Sequence, residues 1–453
     1  MKNKIDRIFR LFIAATLLFT TSSCLKDVLE TEPLRYISDN ASITDRKAAE
    51  AALYGLYSKL NHNNYYGGAG FQGNIFLAGG DGVWTGTWDY LNHFVTHSYM
   101  SDNLSLYNSW LPIYSTINQA NHIIAKVPEI DVPGFSQAER NNIVGEALFI
   151  RALAYFDLAR TWGNVPVVLQ PTTSVNDFDG VGQSTQSQVY QQVLADLDLA
   201  EGFLPETVNR NRATRNTVQA LKARVYLYNN EWENAEQYAS LLINNNEFDL
   251  IEWEVFLAGT ATQESIFELA FSTADPSVHY SNWTNPVGRA QWAPNRQLYE
   301  LLASPETGGS RSKLIVNGST EIRVDYFIQK LWWRPAGDNP TYLLRIAEQY
   351  LIRAEARVKK AVPDLAGAIS DLNAVRERSG LTAIVAAQSD EVLQSIENER
   401  RAEFAFEPHR WFDLVRTGLA GDVLGVTDQN KWIFPIPFND IQADPDLVQN
   451  PGY

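Results

Sequence analysis

Apolar residues recur at helical spacing through most of the chain. The first clear case lies in residues 47–60, where the apolar positions on one helical face are Ala49, Leu53, Leu56, Tyr57 and Leu60. The same period predicts further helices over residues 106–126, 138–162, 186–204, 217–229, 232–244, 343–360, 365–378, 391–406 and 411–416. Gly163 and Gly380 follow two of these segments, as glycine often does where a helix ends. The pattern predicts a mostly α-helical protein.

Two predicted helix pairs share offsets of 12, 4 and 3 between small or apolar residues. The two sets are Ala223, Ala235, Ala239 and Leu242, and Ala356, Ala368, Leu372 and Val375. Small residues at such offsets let antiparallel helices approach closely, as in tetratricopeptide repeats. Long insertions separate the pairs, so we expect a single scaffold of degenerate repeats and no regular solenoid. A second repeat, Glu-x-x-x-Ile-Arg-Ala, occurs at 146–152 and 348–354 and places Arg151 and Arg353 at matching positions. We expect each of these arginines to pair with an acid between helices; a role in ligand binding is the alternative.

Two stretches interrupt the helical pattern. Residues 65–99 hold eight glycines and are predicted to form a loop. Residues 245–341 are rich in proline and glycine and contain β-branched pieces at 314–316 and 321–328, which predict loops with a few short strands. We expect these insertions to carry a ligand-binding face on one side of the helices.

Aromatic and polar side chains are concentrated in the same two stretches. The candidate binding residues are Asp81, Trp84, Trp88, Tyr90 and Asn92 in the first stretch and Tyr280, Trp283, Arg289 and Trp292 in the second. Aromatic rings stack on the apolar faces of sugar rings, while polar side chains bind the hydroxyl groups. The alternative is that the indoles only pin long loops onto the helices. Of Trp332 and Trp333, one is expected to face the core.

Composition narrows the class of ligand. The 453 residues carry a formal net charge of −16, which argues against binding to nucleic acid or adsorption to an anionic lipid surface. An uncharged sugar is compatible with this balance. The six histidines are scattered without metal-ligand spacing, so no metal and no cofactor is predicted.

The amino terminus predicts export. A basic segment at residues 2–10 precedes the apolar run 11–19, which is too short to span a membrane but typical of a signal peptide. Cys24, the only cysteine, follows and resembles the lipidated residue of a bacterial lipoprotein. We therefore predict a signal peptide at 1–23 and a lipid anchor and tether at 24–45. Ordinary secretion with a free thiol is the alternative.

Three segments carry a family resemblance. They are EALFIRALAYFDLARTWGNVP at 146–166, ERRAEFAFEPHRWFDLVRTG at 399–418 and FPIPFNDIQADPDLVQNPGY at 434–453. Together they resemble the RagB/SusD family, the nutrient-binding surface lipoproteins of Bacteroidota. The resemblance implies one compact fold with an N-terminal helical part at 46–245 and a C-terminal part at 246–453.

The resemblance also implies a function. Similar proteins are anchored by lipid in the outer membrane, face the cell exterior, capture oligosaccharide or polysaccharide and deliver it to a SusC-like TonB-dependent transporter. Catalysis would belong to other proteins. Two alternatives stay open: the same architecture serving peptide or another nutrient, and a helical glycoside hydrolase.

The carboxylates of the segment at 399–418 do not favour the hydrolase. A glycosidase needs one carboxyl group whose pKa is raised, and Glu399 and Glu403 lie beside Arg400 and Arg401, which favour ionised carboxylates. From their spacing we expect these four residues to form pairs within their own helix.

Overall fold

A computed structural model describes residues 43–173, 181–284, 290–385 and 388–453. Cys24, the predicted signal peptide, nearly all of the predicted tether and Arg289 lie outside the described residues. Residues 45–453 cluster as one unit. The boundary near residue 245 stays a prediction.

Helices make up most of the described structure, which confirms the predicted fold class. They are α1 (Arg46–Leu60), α2 (Gly70–Ala78), α3 (Asp89–Val95), α4 (Leu104–Lys126), α5 (Gln137–Trp162), α6 (Gln186–Phe203), α7 (Arg215–Tyr228), α8 (Trp232–Ile243), α9 (Trp253–Ala258), α10 (Arg296–Ala303), α11 (Ile346–Lys359), α12 (Leu365–Arg378), α13 (Ser389–Glu403), α14 (Arg410–Arg416), α15 (Ala420–Leu424) and α16 (Phe438–Ala443). Short 3-10 helices occupy Val127–Glu129, Gly309–Leu314 and Gln429–Trp432, and a π-helical turn occupies Tyr280–Thr284.

The strands are short and pair in twos. They are β1 (Gly82–Trp84), β2 (Val165–Pro166), β3 (Gln183–Ser184), β4 (Ser265–Leu269), β5 (Trp292–Pro294), β6 (Ile315–Asn317), β7 (Phe327–Gln329) and β8 (Thr341–Arg345). The antiparallel pairs among the described residues are β1–β5, β2–β3, β4–β8 and β6–β7. The β1–β5 pair joins the two aromatic stretches, because Trp84 lies opposite Trp292.

Two sequence predictions of secondary structure were wrong. The helix predicted from residue 343 begins at Ile346, because the preceding residues pair as β8 with β4. The glycine-rich stretch 65–99 contains the helices α2 and α3, and every residue of α2 is buried. Gly73 lies inside α2 because the indole of Trp292 packs directly on it: a Cβ at this position would lie 2.3 Å from the indole nitrogen. Some of the glycines in this stretch, such as Gly73, therefore allow a neighbouring side chain to pack directly on the backbone.

The helices of each predicted pair pack against each other through the small residues that the spacing indicated. Ala223, Ala235, Ala239 and Ala356 share one buried cluster of α7, α8 and α11. The side chains of α12 at the matching offsets are buried in a second cluster with α11 and α13. This arrangement is consistent with degenerate tetratricopeptide-like pairs.

The two arginines of the repeated pattern pair as predicted. Arg151 on α5 donates two hydrogen bonds of 2.8 and 2.7 Å to Asp196 on α6. Arg353 on α11 donates two of 2.9 and 2.6 Å to Asp371 on α12. Both prove to be structural bonds between neighbouring helices.

The pairs predicted within α13 do not form as expected, because the charged side chains of this helix point to other elements. Glu403 accepts bonds from Arg311 at 2.9 Å and from Arg345 at 2.8 Å, and it also pairs with Arg378. Burial alone would raise the pKa of Glu403, but the charges of Arg378, Arg311 and Arg345 outweigh burial and lower it to about 2. Glu399 likewise pairs with Arg311 and Arg376. The helix is thus bonded into the core through ion pairs.

Candidate functional site

Three aromatic side chains form a row at the surface, which we call the aromatic ledge: Trp84, Trp88 and Tyr90. The ring centroids of Trp84 and Trp88 lie 6.3 Å apart with planes 18° from parallel, and those of Trp88 and Tyr90 lie 5.9 Å apart with planes 11° from parallel. Trp88 is 54% exposed, and the other two are half-buried. The ledge therefore offers ring surface to solvent in a fixed, nearly parallel arrangement.

Local structure holds the ledge in place. Trp84 ends β1, and Trp88 is the residue immediately before α3, so Tyr90 lies in the first turn of that helix. Asn103 donates a 2.7 Å bond to the backbone carbonyl of Tyr90. Gly86 lies in the turn between strand and helix, where a Cβ would come within 2.0 Å of the Trp84 ring. Glycine is needed here because the ring lies against the backbone.

Beneath the ledge lies a second group of rings, which we call the aromatic base. Its members are Phe76, His279, Trp283, Trp292 and Trp332. Trp84 packs against the edge of Trp292 at 5.0 Å, and Trp292 stacks on Trp283 at 5.9 Å with planes 15° apart. Trp283 also donates a 2.6 Å bond from its indole nitrogen to the carbonyl of Gly68. The base gives the ledge a rigid support.

His279 closes the inner side of the base as a neutral ring. It stacks on Trp332 at 3.9 Å and shares a 2.9 Å hydrogen bond between its Nε2 and Oε1 of Gln72. Burial lowers the pKa of His279 to about 3. A charged imidazolium is therefore absent from the base near neutral pH.

The structure corrects the role of three candidate ligand residues. Trp283, Trp292 and Asp81 are only 0%, 3% and 4% exposed. Both indoles belong to the aromatic base. Asp81 binds Arg401 of α13, which donates bonds of 3.0 and 2.5 Å from Nε and Nη2 to one carboxylate oxygen. These side chains support the ledge from below and do not face solvent.

The remaining candidates lie at different depths. Asn92 is exposed on α3, close in sequence to the ledge, and Tyr280 is half-buried at the start of the π-helical turn that contains Trp283. Arg289 is not among the described residues. Trp332 is buried while Trp333 is 40% exposed, which confirms that one of this pair faces the core.

Sequence reasoning missed Arg401, His279 and Phe76 as parts of the site. The signal for Arg401 was its place among the charged residues of the segment at 399–418, but its spacing indicated partners on its own helix and not Asp81. No local pattern marks His279 or Phe76, whose partners are distant in the sequence.

Comparison with known proteins places this architecture in a family. Residues 76–227 match a SusD-like family described as starch-binding and associating with the outer membrane, and residues 323–425 match the SusD family. The chain belongs to the SusD/RagB family. Carbohydrate binding is therefore supported at the level of the family, as is association with the outer membrane.

Relatives match over nearly the whole chain. SusD-like protein P38 of Formosa agariphila is 27% identical over 516 aligned residues, covering 99% of this chain and 100% of the relative. A solved laminarin-binding SusD-like protein has a TM-score of 0.76 at 24% identity and covers 90% of this chain and 100% of its own. A SusD superfamily protein from Bacteroides vulgatus has a TM-score of 0.81 at 21% identity, covering 90% and 99%. The two structures establish the shared fold.

Among the described residues, no helix is both long enough and apolar enough to cross a lipid bilayer.

Proposed function

We propose that this chain is a non-catalytic surface lipoprotein that binds a neutral glycan on the aromatic ledge and delivers it to a SusC-like TonB-dependent transporter. The observation that carries the proposal is the row of Trp84, Trp88 and Tyr90, whose nearly parallel rings reach solvent. Indole and phenol faces match the C–H faces of successive sugar units, and the phenol hydroxyl can bond to sugar hydroxyls. A rigid base lowers the entropy lost when such a ligand binds.

Charge supports a neutral ligand. The chain carries a net charge of −16, and the exposed Asp89 lies between Trp88 and Tyr90 in the sequence. A polyanionic glycan would meet repulsion at this position. The family description names starch and one related structure is named for laminarin, and both are uncharged glucans.

The state of Asp81 supports binding without cleavage. A glycosidase needs a pair of carboxyl groups beside the scissile bond, one of them held protonated by a raised pKa. Asp81 is the buried carboxylate under the ledge, and the guanidinium of Arg401 binds it directly. Because Asp81 is buried and bound by Arg401, it does not reach a sugar that lies on the ledge, as a catalytic acid must.

Sequence and family together support the location and the partner. Cys24 follows a signal-like segment, and the matching family is described as associating with the outer membrane. A lipid-anchored protein that binds glycan outside the cell needs a transporter to import it. We therefore propose that the protein closes over a TonB-dependent transporter as a lid.

Retardation in polysaccharide-containing native gels tests the binding site. Wild-type protein should be retarded by at least one neutral polysaccharide from a panel that includes laminarin and starch. Trp88→Ala should reduce the affinity about tenfold, which corresponds to the loss of about 1.4 kcal/mol of stacking. Trp333→Ala removes another exposed indole outside the ledge and is the matched control, with unchanged retardation expected.

Each other outcome contradicts a definite part of the proposal. Equal retardation of wild type and Trp88→Ala would place the site elsewhere. Binding to peptides, with no retardation by any polysaccharide, would favour the peptide-serving alternative. Release of shorter sugars during incubation with a bound glycan would show a hydrolase.

Purification from outer membranes tests location and partner. The full chain should co-purify with a TonB-dependent β-barrel transporter and should incorporate labelled fatty acid. Cys24→Ser should lose the label and leave the membrane fraction, because stable anchoring depends on the acyl chains. An unlabelled wild-type protein would show secretion with a free thiol.

A further inference from the structure

One end of α4 carries exposed apolar side chains that the ledge does not explain. Leu104 and Leu111 lie on the same side of this helix, two turns apart, and are 50% and 53% exposed. The opposite side of α4 is also apolar and packs in the core through Leu106, Trp110 and Ile113. A surface helix normally presents polar residues to solvent. The first two turns of α4 therefore carry a second apolar face, which is exposed in the described structure.

The exposure of aliphatic side chains is confined to this end of the helix. Seven residues beyond Leu111, the same side of α4 carries the polar Asn118. Two neighbours extend the exposed apolar surface: Met100, 48% exposed before α4, and Phe438, 46% exposed at the start of α16. The backbone N–H of Phe438 donates a 2.9 Å bond to the carbonyl of Ser101, which places it beside Met100. We call this surface the apolar patch: Met100, Leu104, Leu111 and Phe438.

The apolar patch borders the aromatic ledge. Asn103, immediately before Leu104, donates the 2.7 Å bond that reaches the backbone carbonyl of Tyr90. The backbone N–H of Asn103 donates a 3.0 Å bond to the carbonyl of Met100. A single residue thus connects the patch to the ledge. A molecule that encloses a ligand on the ledge therefore also reaches the patch.

The charged residues of the surrounding segments are acidic. Residues 84–125 and 433–453, which supply the ledge, most of α4 and all of α16, contain no lysine or arginine. The acidic residues of these segments are Asp89, Asp102, Asp440, Asp444 and Asp446. Lys431, just before the second segment, donates a 3.0 Å bond to the carbonyl of Gly452 and lies over the ring of Tyr453. A complementary partner is apolar at its centre and basic around it.

The chemistry of the patch argues against two other occupants. Leucine and methionine side chains offer neither a flat ring nor a hydrogen-bonding group to a sugar, so the patch does not suit glycan. A second copy of the chain in a twofold dimer would place acidic residues near acidic residues, which is unfavourable. A protein partner with basic residues meets both requirements.

We propose that the apolar patch docks on the extracellular surface of the TonB-dependent transporter, against apolar side chains flanked by lysine or arginine. This inference rests on the proposed function. A glycan that passes from the ledge into the transporter lies between the two proteins, so the surface beside the ledge faces the transporter. Docking also removes from water an exposed apolar surface of the kind that marks protein interfaces.

A photo-crosslink from the patch tests the contact directly. Because Cys24 is the only cysteine of the chain and is predicted to be lipidated, Leu111→Cys introduces one reactive thiol for a benzophenone maleimide. On illuminated cells, this variant should form an adduct with the TonB-dependent transporter, identified by mass spectrometry. Leu199→Cys on α6 is the matched control, because Leu199 is 54% exposed, and it should form no such adduct. Wild-type cells treated in the same way control for reaction at Cys24.

Two charge substitutions test the complementarity. Leu111→Lys and Leu111→Glu remove the same apolar contact and have similar helix propensities. The amount of transporter that co-purifies from outer membranes should fall about tenfold for the lysine variant and less for the glutamate variant. Both variants should keep the wild-type retardation by polysaccharide, because Leu111 lies outside the ledge.

The outcomes separate this inference from the proposed function. If the wild type co-purifies with the transporter but Leu111→Cys forms no adduct with it, the docking surface is overturned and the proposed function stands. An adduct with a second copy of the chain, or equal adducts from positions 111 and 199, would also overturn the docking surface. A loss as large for glutamate as for lysine would contradict the basic partner surface. Wild-type protein that co-purifies with no transporter would contradict the proposed partner and this inference together.

Discussion

At the scale of single residues, the binding site depends on which aromatic side chains are exposed to solvent and which are buried. Trp88 and Trp283 are the same residue type in two aromatic-rich stretches, yet one is half-exposed and the other is fully buried. The sequence indicated that tryptophans are concentrated in these stretches, but it did not show which of them are exposed and which are buried. Sorting depends on β1–β5 pairing, which places Trp292 under Trp84 and leaves Trp88 outside.

Gly86 gives a prediction at this scale. Gly86→Ala would place a Cβ within 2.0 Å of the Trp84 ring, so the half-buried ring must move out of the ledge. We expect glycan affinity to fall several-fold while the melting temperature stays close to that of the wild type, as measured by calorimetric titration and thermal unfolding.

A second glycine provides the matched control. In the described part of the chain, nothing lies within 4 Å of the position a Cβ would take at Gly55 on α1. Gly55→Ala should leave binding unchanged and stabilise the protein by about 0.5–1 kcal/mol, the usual gain inside a helix. Wild-type affinity in Gly86→Ala would show that the position of Trp84 does not matter for binding.

At the scale of elements, local patterns predicted the helices and missed most of the bonds between them. The 3.6-residue period located α1 and α12 closely, because the buried residues of these two helices recur at that spacing within a short stretch of sequence. The pairing of Arg151 with an acid followed from a repeated local pattern. The partners of Arg401 and Glu403 lie far away in the sequence, so spacing along α13 suggested the wrong ones.

The bond between Arg401 and Asp81 gives a prediction for the coupling of α13 to the ledge. Arg401→Ala leaves the buried carboxylate of Asp81 without its partner, which should cost about 1–3 kcal/mol of stability. Because Asp81 directly precedes β1, we also expect weaker glycan binding. Both quantities are measured by denaturant unfolding and by titration with the bound glycan.

A double-mutant cycle separates this coupling from general loss of structure. Asp81→Asn combined with Arg401→Gln should lose less stability than the sum of the single changes, because the two residues contact each other. Arg46→Ala breaks an exposed ion pair on α1 and should change neither quantity appreciably. Additive effects in the cycle would show that the pair does not position the ledge.

At the scale of the whole molecule, buried ionisable groups make stability depend on pH. Burial lowers the pKa of His279 from 6.5 to about 3, so below pH 6.5 the unfolded chain binds a proton that the folded chain does not. Arg416 outweighs burial at Glu355 and lowers its pKa from 4.5 to about 2, which has the same sign below pH 4.5. Glu407 opposes this trend, because burial raises its pKa.

We therefore expect stability to be highest above pH 6.5 and to fall on acidification. The slope should begin below pH 6.5 at up to about 1.4 kcal/mol per pH unit for each group that stays unprotonated only when folded. The slope of stability against pH should become steeper below pH 4.5, where protonation of the glutamates with lowered pKa adds to that of the histidine. Unfolding free energies measured between pH 7.5 and pH 3.5 test this, and His279→Gln should reduce the slope between pH 6.5 and 4.5. A flat profile in that window would contradict the buried, neutral state of His279.

The central claim is that the aromatic ledge grips a neutral glycan without cleaving it. A crystal structure of the wild-type protein with an intact laminarin-derived or starch-derived oligosaccharide tests it most directly. We predict sugar rings lying on the faces of Trp88 and Tyr90, with every glycosidic bond intact. An oligosaccharide bound elsewhere with the ledge bare, or a cleaved product on the ledge, would contradict the account.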